Sequence, residues 1–161
     1  MANHKNSTVQ LVTVGTKKTI PDDIQPAGQT MSTTGIFVVG VGTSFTTQLA
    51  PGAWIVNLTA NEIRKVAEVI DNNNAVLTEP FTANIVAGTQ YDYIPLYFIK
   101  EISCVGDKAG AYEIDGVTMF AGTSISWGKN SNMRTALQDF IDPIIVNATA
   151  AAVIVETLRY S

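Results

Sequence analysis

The sequence predicts an all-β fold: a β-sandwich or β-barrel-like domain of about ten short strands, with at most one short helix and an extended N-terminal arm. Three observations lead there. Thr, Val and Ile supply 19, 16 and 16 of the 161 residues, and a branched Cβ restricts χ1 in a helix while packing well on a pleated surface. Short apolar segments recur between Gly, Asn, Asp and Pro clusters, the pattern of sandwiches and barrels. Only residues 133–140 (MRTALQDF) carry a convincing helical pattern, and Pro143 ends it.

A chain of this length fits one domain. Hydrophobic residues make up 46% and mean hydropathy is +0.18, enough apolar side chain to fill a core. The expected division is an N-terminal arm and long loop over 1–34 and a β-domain over 35–161.

Residues 8–14 (TVQLVTV) alternate as a strand does, and Gly15 closes them. Residues 15–34 carry Gly15, Pro21, Pro26, Gly28 and the Asp22-Asp23 pair with no sustained apolar period, so they read as an arm or loop. Connections of that length inside a compact domain are usually functional. Residues 35–41 (GIFVVGV) read as a buried strand, 42–49 as a turn pinned by Phe45, and 53–58 (AWIVNL) as a strand after the Pro51-Gly52 turn.

Residues 62–70 (EIRKVAEVI) are ambiguous. Ile63, Val66 and Ile70 fall at helical spacing, while β-branched content and short length suit a strand, the reading adopted here. Residues 71–74 then turn the chain into a return strand, since Asp and Asn bond their own main chain. Residues 91–99 (YDYIPLYFI) place Tyr91, Tyr93 and Tyr97 on one face and Ile94, Leu96 and Phe98 on the other, with Pro95 marking an edge or bulge. Further strands are expected at 102–105, 111–114, 117–120, 124–127 and 151–160. Asp115-Gly116 supplies the positive φ that a two-residue hairpin loop needs.

Ten basic against fourteen acidic residues give a net charge of −4. Beyond Lys17-Lys18 and Arg64-Lys65 there is no basic grouping to displace counterions from phosphates, so nucleic acid is not an expected partner. Cys104, the single cysteine, reads as a buried small hydrophobe. The opening MANHKNST lacks the apolar core of a signal peptide, and the longest apolar run, 35–42, is far short of the ~20 residues that span a bilayer. A soluble protein made in a cytoplasm, with no membrane partner, is expected.

No set of residues points to catalysis. Gly40-Val41-Gly42 follows a strand as in a dinucleotide fingerprint, but Phe45 occupies the third glycine position and Pro51 blocks a following helix. His4 is the only histidine and lies in a tail, which removes a histidine triad and nearly removes zinc. Asp139 with Asp142, and Glu113 with Asp115, read as cap and turn residues before acid–base pairs. Residues 71–74 lack the spaced acidic ligands of a calcium loop. Catalytic, cofactor-binding and metal residues are therefore assigned to none, and neither enzyme activity nor a cofactor is expected.

The stretch 24–61 contains no charged residue, although a free monomer usually keeps its surface wet with Lys and Glu. Burial against other subunits is the expectation. The candidate interface residues are Ile20, Ile24, Trp54, Tyr91, Tyr93, Tyr97, Trp127, Val153 and Val155. A homo-oligomer paired through strands follows, with a trimer as the expected state. Trp54, Trp127 and the tyrosine stripe also suit an alternative role, stacking on sugars.

Residues 35–85, GIFVVGVGTSFTTQLAPGAWIVNLTANEIRKVAEVIDNNNAVLTEPFTANI, resemble a β-rich module of tailed-bacteriophage virion structural proteins. The shared pattern is a short strand, a GTSFTTxL turn, a PGxWI strand, an ExRxV strand, an asparagine-rich turn and a strand ending in PFTA. It covers about a third of the chain, and similar modules occur on capsids, tails and fibres. The resemblance implies a non-enzymatic structural subunit, made in the host bacterial cytoplasm and residing in the virion against other virion proteins such as the major capsid protein or tail subunits. A decoration or cement protein stabilising the head is favoured, because the size suits one and the acidic charge argues against contact with packaged DNA. A tail, neck or fibre-base protein, or a carbohydrate-binding module, is the alternative. Residues 1–34 are then expected to reach onto neighbouring subunits or the shell.

Overall fold

The computed structural model describes residues 5–127 and 141–160. Among these the chain is β throughout, apart from one helical turn of four residues. It divides into two compact units, one made of Met1–Pro21 with Tyr97–Ser161 and the other of Asp22–Leu96.

The first unit opens with β1 (Lys5–Val12) and β2 (Lys17–Ile20). The second contains β3 (Thr30–Thr34), β4 (Phe37–Val41), α1 (Phe45–Gln48), β5 (Trp54–Asn57), β6 (Glu62–Val69), β7 (Asn74–Leu77), β8 (Thr89–Gln90) and β9 (Asp92–Ile94). The chain then completes the first unit with β10 (Phe98–Gly106), β11 (Tyr112–Ile114), β12 (Val117–Met119), β13 (Ser124–Trp127), β14 (Ile144–Asn147) and β15 (Val153–Tyr160).

The 22–96 unit is a nearly closed barrel. Its strands run in the order β8-β3-β4-β7-β6-β5-β9, and the two outermost strands are consecutive in sequence. Residues 89–90 pair with β3, and 92–94 pair with β5, so one short segment joins both edges of the sheet. Inside lie Met31, Val38, Phe45, Ile55, Val66, Leu77, Phe81, Tyr91 and Tyr93 among others. Phe45 meets Tyr91 at 5.1 Å and Tyr91 stacks on Tyr93 at 5.2 Å between ring centroids, and each such pair adds about 0.5–1.5 kcal/mol beyond area burial.

The other unit packs two four-stranded sheets, β1-β15-β10-β13 and β12-β11-β14-β2. A single core draws Val12, Ile102, Cys104, Val153 and Val155 from the first, and Ile20, Tyr112, Ile114, Ile144 and Val146 from the second. Gly106 is required for this packing: a Cβ there would lie 2.2 Å from the Tyr112 ring. The hairpin of β11 and β12 turns at Asp115 (φ 49) and Gly116 (φ 79), as their sequence predicts.

Several expectations change. The chain forms two units, and it divides at 21/22 and 96/97 rather than after residue 34. Residues 5–20 do not stand apart as an arm: β1 pairs with β15 from Lys5 opposite Tyr160 to Val12 opposite Val153, and β2 pairs with β14. KKTI and TMSTT are strands despite lacking an apolar alternation, because backbone pairing with β14 and β4 holds them. Residues 62–69 are a strand, settling the helix ambiguity, and the turn expected at 71–74 spans 71–73, with Asn74 already in β7. The helical pattern at 133–140 lies outside the described residues. The small helix α1 instead falls in the segment read as a turn.

Candidate functional site

Strand register decides which side chains share a face, because alternate residues point to opposite sides of a sheet. In the sheet β1-β15-β10-β13, Leu11, Ile154, Val105 and Ser124 form one row across the four strands. Val9, Glu156, Ser103 and Ser126 form the next, and Ser7, Leu158 and Glu101 a third. The opposite face of the same strands carries Val12, Val153, Val155, Ile102 and Cys104 into the core. The outward face is therefore apolar at several positions: Val9 is 68% exposed and Leu11 55%, with Val105 and Ile154 exposed beside them.

A shallow depression of about 270 Å³ lies on this face, lined by Ser7, Glu101, Ser103, Glu156 and Leu158. Ser7 Oγ donates to Glu156 Oε1 at 3.0 Å, and Ser103 Oγ donates to Glu101 Oε1 at 3.3 Å. The two carboxylates sit diagonally on β15 and β10, each held by a serine hydroxyl. The surface thus sets hydrogen-bond acceptors beside the exposed apolar side chains of Val9, Leu11, Val105 and Ile154.

A second outward apolar row lies on the barrel. Phe37 is 57% exposed and Val41 65%, with Val39 exposed between them. They pair with Thr34, Thr30 and Ser32 of β3, all polar and uncharged. The expectation that 35–41 is a buried strand holds for Val38 and Gly40, which alternate with exposed residues.

The candidate interface residues chosen from sequence are mostly elsewhere. Ile20, Trp54, Tyr91, Tyr93, Val153 and Val155 are buried in the chain itself, and Ile24 is the exposed one. Tyr97 is partly buried against the core of the first unit, so the stripe of Tyr91, Tyr93 and Tyr97 does not form. Pro95 separates β9 from β10, and the three rings enter two different cores. The side chain of Trp127 is outside the described residues. Trp54, Tyr91 and Tyr93 accordingly give no open platform for sugar stacking. The exposed apolar residues escaped the sequence reading because alternation tells which residues share a face but not which face is covered.

Burial also governs the ionisable groups. Asp92, on the barrel-closing strand, is 9% exposed, and its Oδ1 finds no hydrogen-bond partner among the described residues. Loss of solvent, and secondarily the Asp23 carboxylate, raise its carboxyl to about 6, against a lowering by the Gln90 side chain. The Tyr91 hydroxyl is pushed up by burial, with Tyr93 adding to the effect. The Cys104 thiol is pushed up to about 12, chiefly by burial and secondarily by Asp115, which suits the inert hydrophobe expected of it. Asp115 is raised by burial although it accepts a 2.7 Å bond from the Ile145 amide. Among the described residues no group of three or more His, Cys, Asp or Glu side chains is placed to hold a metal ion, and no helix is long and apolar enough to cross a membrane.

The motif residues of 35–85 hold the barrel together. Glu62 of the ExRxV strand accepts from Arg64 Nη2 at 2.7 Å and from the Thr82 amide at 2.9 Å. Arg64 Nε donates to the Pro80 carbonyl at 2.7 Å, and its guanidinium lies 5.4 Å over the Phe81 ring. The ExRxV and PFTA motifs are thus two sides of one clasp. Likewise the GTSFTT segment docks on the asparagine-rich turn: Thr43 Oγ1 donates to the Asn72 carbonyl at 2.7 Å, the Phe45 amide bonds the same carbonyl, and Thr46 donates to the Asn72 side chain. The chain matches no family model, no curated protein and no solved structure.

Proposed function

We propose that this chain is a non-enzymatic structural subunit of a tailed-bacteriophage particle, acting as a decoration or cement protein that stabilises the head by protein–protein contacts. The observation that carries the reading is the outward row of Phe37, Val39 and Val41 in a stretch, 24–61, that has no charged residue. Such a surface is poorly suited to a free monomer and well suited to being covered in an assembly. The resemblance of 35–85 to virion modules supports it, and the motif residues that carry that resemblance serve the fold of the unit rather than any reaction. Other virion proteins are the partners in this reading, further copies of the chain among them.

Antibody labelling of intact, purified particles tests it. Label spread evenly over the head is the expected result. Label confined to tails, necks or fibres moves the role to a tail-associated subunit, and a chain missing from the particles overturns the reading.

A further inference from the structure

We propose that the open edge of β1 is a self-association site, pairing antiparallel with β1 of a second copy to join two four-stranded sheets into one of eight strands. The inference deepens the proposed function by naming the surface through which copies of the chain meet.

Sheet edges carry unpaired N–H and C=O groups, and proteins blunt them with lysines, prolines, bulges or very short strands. The other edges here are blunted in these ways. The edge strand β2 carries Lys17 and Lys18, β12 has three residues and β13 four among the described residues, and β8 with β9 bring the barrel edges together. The strand β1 is different. It has eight residues paired with β15 in unbroken register. Residues 7–12 contain no charge and no proline, and among the described residues no backbone group pairs with the outer side of β1.

The sequence of β1 also complements itself. Antiparallel pairing about a two-fold axis at Gln10 sets Val9 opposite Leu11 of the second copy and Leu11 opposite its Val9. Paired residues share a face in an antiparallel sheet, so these side chains stay on the outward surface where they are now 68% and 55% exposed. The row Val105, Ile154, Leu11 would then continue into Val9 of the other copy. Lys5 faces no like charge in this register. Main-chain pairing supplies the attraction and the apolar pairs supply the register. The arrangement closes at two copies, in place of the trimer expected from sequence, because one edge meets itself.

Sedimentation of the full-length chain from 1 to 200 μM tests the proposal, alongside the variants Val9→Lys/Leu11→Lys and Gln10→Cys. The expected result is a concentration-dependent dimer whose dissociation constant rises at least tenfold with the two lysines, which are placed at exposed positions. Melting of the dilute variant should match that of the dilute parent. Gln10→Cys should form a disulfide-linked dimer under mild oxidation, whereas Thr8→Cys should not, since Thr8 faces Val12 of the other copy. A monomer at every concentration, a dimer indifferent to the lysines, or a trimer overturns the edge pairing. None of those outcomes alters where the chain lies in a particle, so the proposed function is judged separately by labelling.

Discussion

Glu62 and Arg64, two positions apart on β6, form an ion pair at 2.7 Å while each also bonds the backbone of the segment 80–82. Both side chains are mostly withdrawn from solvent. A pair fixed by additional hydrogen bonds on both partners is worth more than an exposed one. Arg64→Ala should destabilise the 22–96 unit by about 1–3 kcal/mol, because Glu62 loses its counter-charge and the Pro80 carbonyl its donor. Urea unfolding measures this. An unchanged midpoint would show that the clasp contributes nothing.

Gly40 is confined by its neighbours. A Cβ at this position would fall 2.2 Å from Thr43 Oγ1 and 2.7 Å from Phe45 Cζ. Gly40→Ala should therefore cost about 1–3 kcal/mol through overpacking, and Thr43→Ala in the same chain should recover part of it by removing the nearer obstacle. A melting series of the two single variants and the double variant gives the coupling.

Asp92 makes stability depend on pH. Its carboxyl is raised from the usual 3.8 to about 6, so the folded state binds the proton more tightly than the unfolded chain does. The stabilisation this provides is full below pH 3.8 and is lost as pH rises through about 6. Asp92→Asn, which stays neutral, should leave stability near its parent value at pH 3.5 and raise it by up to about 3 kcal/mol at pH 7.5. Equal shifts at both pH values would refute the titration.

Cys104 is fully buried, and its thiol is held up to about 12. A thiol reagent at pH 8 should leave it unmodified in the folded protein and modify it only on unfolding, since the thiolate is the nucleophile. Labelling followed by mass spectrometry reads the outcome, and rapid reaction in the native protein would contradict this burial.

The sequence disclosed the elements that carry local chemistry. Asp115-Gly116, residues 71–74 and the PGxWI strand all stand where their turn residues place them. The strands β2, β3 and β14 are not legible in sequence because their identity lies in their partners: KKTI and TMSTT have no apolar period, and the three apolar residues 144–146 follow Pro143 without alternation. The candidate site was less legible. Large β-branched and aromatic residues on strands suggest an interface, but Tyr91, Trp54 and Val155 fill the interior, and the outward residues Val9, Leu11 and Phe37 look no different in sequence. For Val9 and Leu11 that exposure is fixed by register with β15, far along the chain.

Ser7 and Glu156 bond across β1 and β15 from positions 149 residues apart, which gives the two units different histories as the chain emerges from the ribosome. The barrel of residues 22–96 is a continuous segment and can complete itself as soon as β9 is available. The other unit must hold β1 and β2 in waiting until β14 and β15 have been made. Because synthesis proceeds at about 5–20 residues per second, the waiting period lasts for seconds. During that time every strand of the barrel has been made in a still open chain, and β1, which precedes the barrel, meets its partner β15 only after it.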